Sequence, residues 1–95
     1  METKIIIESL SMDLLRAALG LHRGSARMAE VFKKEALKRI EELEGQSSNP
    51  YIDMLVNKTR IVLESDRERT AEDLLMYSIL FRNFVQKIEV DKLFV

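Results

Sequence analysis

The chain of 95 residues contains no cysteine, no tryptophan, one proline and three glycines. Without cysteine there is no disulfide framework, no thiol nucleophile and no thiolate metal site. A single histidine, His22, makes a zinc site implausible as well. No motif calls for a cofactor. Nor does either sign of charge dominate: 15 Lys and Arg stand against 16 Asp and Glu. A near-neutral total supplies no global attraction to nucleic acid or to an anionic membrane, so any such attraction must come from how charge is arranged. Long apolar runs are also missing. The most apolar stretch, Leu74 to Phe81, is far too short to span a bilayer. The first eight residues have no basic region, apolar run or small-residue cleavage site, so they do not read as a signal peptide. A soluble, cytoplasmic, single-domain protein spanning 1–95 is the expectation.

What is there is helical patterning. Charged residues are a third of the chain, with abundant Glu, Leu and Ile, a thermophile-like composition. From residue 11 to 44 one face reads Leu14, Ala18, Leu21, Ser25, Met28, Phe32, Ala36, Ile40 and Leu43. The steps are three or four throughout, which predicts one long helix with a bend at Gly20 and Gly24. Ser9 or Ser11 is the expected N-cap, with Asp13 in the first turn. Gly45 is the expected stop, followed by a loop over 46–50.

Asn49 then reads as an N-cap with Pro50 at the first helical position. A second helix over about 50–65 has Ile52, Leu55, Val56, Thr59, Val62 and Leu63 on its inner face. A third, over about 70–89, carries Leu74, Tyr77, Phe81, Phe84, Val85 and Ile88. Their stripes differ in phase by only about 40°, so one continuous helix over 50–89 remains an alternative. Residues 4–7 and 90–95 are rich in β-branched or apolar side chains and read as short strands. The expected fold is mainly α: a long helical hairpin or a three-helix antiparallel bundle with strand-like ends, completed as a dimeric bundle.

Four features are candidates for function. Leu75, Met76, Ile79 and Leu80 form an apolar stripe on the side of the third helix away from Leu74, Phe81 and Val85. A helix apolar on both sides must be covered on both sides. A chain that buries only about 60–65% of its surface covers one side more readily than two, so the stripe marks a subunit interface. Arg16, Arg23, Arg27, Lys34 and Lys38 fall at spacings of seven, four, seven and four. On one continuous helix they make a straight basic stripe about 33 Å long that could track a phosphate backbone. Glu30 and Glu41 dilute it, and no aromatic side chain lies between the basic ones to stack on bases.

The cluster Ala17, Ala18, Gly20, Gly24, Ser25, Ala26 and Ala29 predicts close helix packing or a bend. The spacing Arg16-x5-His22 fits the loose Arg-x4–6-His pattern of the HEPN ribonucleases over this one segment, and no membership follows from it. His22 is read as a boundary residue on a helix flank.

Three readings follow. The first is a non-enzymatic, self-associating helical protein, most simply a homodimer. The second is nucleic-acid binding along the basic stripe. The third is a small helical enzyme in which Arg16, Arg39 and Arg82 converge on a ligand, by analogy of size and helical content with chorismate mutases, whose motif pattern the chain lacks. No catalytic constellation stands out.

Overall fold

The computed structural model describes residues 2–46, 49–65 and 69–93, with side chains as far as Val90. These residues form four helices and no strand: α1 (Thr3–His22), α2 (Ala26–Glu44), α3 (Pro50–Glu64) and α4 (Thr70–Leu93). They pack as a ring in chain order, α1 against α2, α2 against α3, α3 against α4 and α4 against α1, with no close backbone approach across either diagonal. The bundle measures 45 × 24 × 20 Å.

The long first helix expected over 11–44 is two helices. Gly24 adopts φ +74°, a left-handed conformation that costs a residue with a side chain about 1–2 kcal/mol. The Gly24 amide donates to the Leu21 carbonyl at 3.2 Å and the Ser25 amide to the Gly20 carbonyl at 2.8 Å. That pair of bonds is a Schellman stop. Ser25, expected on an inner face, is instead the N-cap of α2, its hydroxyl accepting from the Met28 amide at 3.3 Å. The apolar phase runs unbroken through this point because the three-residue turn happens to preserve the steps of three and four. Gly20 explains how closely the two helices then approach. A Cβ placed on it would lie 2.7 Å from the Ala29 backbone nitrogen.

The strand expected over 4–7 is the first part of α1. Ile6, Ile7, Leu10 and Leu14 are fully buried at helical spacing. Their packing overrides the local preference of three consecutive isoleucines for extended chain. Ser9 and Ser11 are therefore interior helical residues, not caps. At the other end residues 90–93 continue α4, and the remainder of the expected tail strand, residues 94 and 95, lies outside the described residues. Lys4 pairs with Glu89 at 2.6 Å, tying the first turns of α1 to the last turns of α4.

Residues 50–89 do divide into two helices. The α3 start matches its sequence signal: Asn49 Oδ1 accepts from the amides of Tyr51 at 2.9 Å and Ile52 at 3.2 Å, with Pro50 beside it. The core joins Ile6, Ile7, Leu10, Leu14, Ala17 and Ala18 of α1 to Ala36, Ile40 and Leu43 of α2. Ile52, Leu55, Val56 and Leu63 of α3 and Leu74, Phe81 and Val85 of α4 complete it. Each fully buried Leu, Ile or Phe contributes about 1.5–3 kcal/mol.

Candidate interaction face and charged pocket

α4 has one face in the bundle and one in solvent. Leu74, Ser78, Phe81 and Val85 are buried, and the Ser78 hydroxyl donates to the Ser11 carbonyl of α1 at 2.8 Å. On the opposite side Leu75 is 42%, Met76 45% and Ile79 49% exposed. Leu80, grouped with them by sequence, is placed differently. It is partly buried against the core and lines a groove with Tyr51, Phe84 and Ile88 between α3 and α4. The outer stripe is thus Leu75, Met76 and Ile79.

α1 extends this stripe sideways. The contacts Ser78–Ser11 and Lys4–Glu89 set α1 and α4 antiparallel and mark residues 4 and 11 as the α1 edge facing α4. Leu15 and Leu19 follow at i+4 steps from Ser11, and both are half-buried without joining the core. Met12 is 43% exposed and lies beside Arg82 and Gln86 in the shallow groove between the two helices. Isolated exposed apolar side chains, such as Val31 on α2, are ordinary on any protein surface. A run of them across two adjacent helices is not.

The basic stripe is folded back on itself. Arg16 lies on α1, Arg23 caps that helix, and Arg27, Lys34 and Lys38 lie on α2, which runs the other way. Arg16 sits over the Phe32 ring, 5.5 Å from its centroid. Arg27, Lys34 and Lys38 keep a common exposed face, now about 17 Å long. Lys38 on that face is paired with Glu35 at 3.2 Å.

Nor do the three arginines of the enzyme reading converge. Arg16 and Arg39 share a polar pocket between α1 and α2, lined also by Glu8, Ser9, Met12 and Asp13. Arg82 lines the α1–α4 groove on the other side of Glu8 and Met12, which border both. His22 is exposed at the end of α1. The sequence places Asp13 in the first turn of its helix. It is mid-helix, 8% exposed, and burial pushes its carboxyl above the ordinary value despite Arg39 and Arg16 nearby. Only the position of the α1 N-terminus would have revealed this, and the isoleucine run concealed it.

Among the described residues no group of His, Asp or Glu is arranged to hold a metal ion, and no helix is long and apolar enough to cross a membrane. No family model, curated protein or solved structure matches the chain.

Proposed function

We propose that this chain works as a self-associating helical protein, a homodimer joined through the outer face of α4 and the adjoining edge of α1. The observation that carries this reading is the exposure of Leu75, Met76 and Ile79 in a chain whose other half of α4 is fully packed. A second copy suits the face because Glu72 and Asp73 lie in the first turn of α4 and Arg82 and Lys87 in its second half, where Glu89 is taken up by Lys4. An antiparallel copy centred on Ile79 sets Glu72 of each chain toward Gln86 and Lys87 of the other. Such an arrangement is isologous, as a two-fold dimer requires. The α4 axis is about 36 Å long, and two helices side by side are about 20 Å wide. That area is close to the roughly 800 Å² per partner of a standard interface.

Sedimentation equilibrium at micromolar concentration should give twice the chain mass. Ile79→Glu and Leu75→Glu should each weaken association at least tenfold while leaving the helical circular dichroism unchanged. Val31→Glu, on the outer face of α2, should leave association intact. A clean monomer at hundreds of micromolar would overturn the reading.

Nucleic-acid binding is the second reading and now rests on Arg27, Lys34 and Lys38 alone. A salt-sensitive mobility shift, lost on reversing Arg27 and Lys34 to Glu, would support it. The same reversal should not alter self-association.

A further inference from the structure

We propose that the groove between α3 and α4 binds a fatty carboxylate of medium chain length, its alkyl tail along Leu80, Phe84 and Ile88 and its carboxylate at Lys87.

The groove encloses about 600 Å³, within the range of pockets that hold small molecules. Its floor is a single row on α4. Leu80, Phe84 and Ile88 follow one another at i+4 steps, and all three are half-buried. Leu80 and Phe84 rest against the core and also border the groove. Tyr51 of α3 forms the wall, its exposed ring 6.0 Å from that of Phe84 and tilted by 31°.

Charge at the groove has one sign. Among the described residues that line it Lys87 is the one charged side chain, and no carboxylate borders it. The α1–α2 and α1–α4 depressions differ: Glu8 and Asp13 border the first, Glu8 and Glu89 the second. Lys87 is exposed and makes no ion pair among the described residues. Asn83, one turn before it, adds an amide donor at the same border. The first amides of α3 are already taken by Asn49 Oδ1, so the charge partner for an anion is Lys87.

An apolar floor with one cation at its border matches a ligand that is apolar along most of its length and anionic at one end. From Lys87 back to Leu80 is about 10 Å of helix axis, the reach of an extended chain of about eight to ten carbons. A cationic amphiphile of that length meets Lys87 with like charge. A short acid leaves most of the floor uncovered. The groove is also separate from the self-association face, because Lys87 lines the α3 side of α4 and Gln86 the α1 side.

The test is a two-dimensional amide NMR titration of the full chain with octanoate below its micelle-forming concentration, set against octylammonium, 1-octanol and butyrate. Saturable shifts confined to residues around 49–55 and 80–88 are expected at or below millimolar octanoate. Octylammonium and butyrate should each bind at least tenfold more weakly. Lys87→Gln, at an exposed position, should weaken octanoate at least fivefold and leave octanol unchanged. Tyr51→Ala removes the wall, also at an exposed position, and should weaken both. The proposal is overturned if octanoate gives no saturable shifts up to tens of millimolar, or if octylammonium binds as well as octanoate does. Full octanoate binding by Lys87→Gln would also overturn it. So would shifts centred on Leu75, Met76 and Ile79, which would show octanoate coating exposed apolar side chains wherever they lie.

Discussion

α1 and α3 occupy opposite corners of the same ring and are held very differently. α1 lies in two long seams, one with α2 and one with α4. α3 touches both of its neighbours over much shorter stretches, and it leaves Tyr51, Met54 and Ile61 exposed. One cause is side-chain size. Besides Ile6, Ile7, Leu10 and Leu14, the buried side of α1 offers Ala17, Ala18 and Gly20, and Gly20 meets Ala29 of α2 backbone to backbone. α3 offers Ile52, Leu55, Val56, Thr59 and Leu63, which hold its axis away from its neighbours. Toward the end of α2 the Glu44–Arg60 ion pair joins the two helices, near Leu43 and Val56. Close approach lets many backbone and side-chain atoms meet, whereas large side chains at a distance act as a few separate anchors. Local opening should therefore begin at α3.

The sharpest way to break this comparison is a matched pair of truncations. Leu14→Ala, at a fully buried site in the middle of α1, should cost about 4 kcal/mol. Leu55→Ala in α3 should cost about 2 kcal/mol, because a lightly held helix can settle into the space. Urea unfolding of both variants measures the difference. Equal losses would mean that α3 is as firmly seated as α1.

A second pair probes the α1–α2 seam itself. Gly20→Ala forces a methyl group against the Ala29 backbone, which has no rotamer with which to yield, and should cost about 3 kcal/mol. Gly24→Ala meets no neighbour and suffers only its positive φ, so it should cost about 1 kcal/mol. If the two losses are alike, the tight seam is not what sets α1 apart from α3.

These positions also mark how far the sequence could be read. The α3 cap at Asn49 and Pro50 was legible because the signal lies within four residues and needs no tertiary partner. So was the two-sided apolar character of α4, apart from Leu80, whose position depends on where α3 lies. The break at Gly24 was obscured because periodicity registers phase and is blind to a reversal that conserves it. The strand over 4–7 was misread because three isoleucines in a row favour extended chain when alone, and only packing in the core makes them helical. The pocket at Asp13 was illegible for a related reason. Asp13 and Arg39 are 26 positions apart and meet only because the chain turns back at Gly24.

Asp13 gives the smallest expected effect and the one with a diagnostic sign. Burial holds its folded-state carboxyl above the ordinary value of 3.8, with Glu35 adding to the rise and Arg39 and Arg16 opposing it. Folding then favours the protonated form, so the ionised form detracts from stability wherever the pH lies above the raised value. As the pH falls through that value toward 3.8, the folded chain takes up its proton before the unfolded chain does, and the penalty disappears. An asparagine at this position carries no such penalty at any pH. Asp13→Asn should therefore be more stable than the parent at pH 7. The gap should narrow as the pH falls through the raised value, where the folded parent takes up its own proton. Thermal melts of both proteins across that range decide it. A variant less stable at pH 7, or a gap that does not change with pH, would show that Asp13 belongs to the seam that holds α1 to α2 and not to a pocket that weakens it.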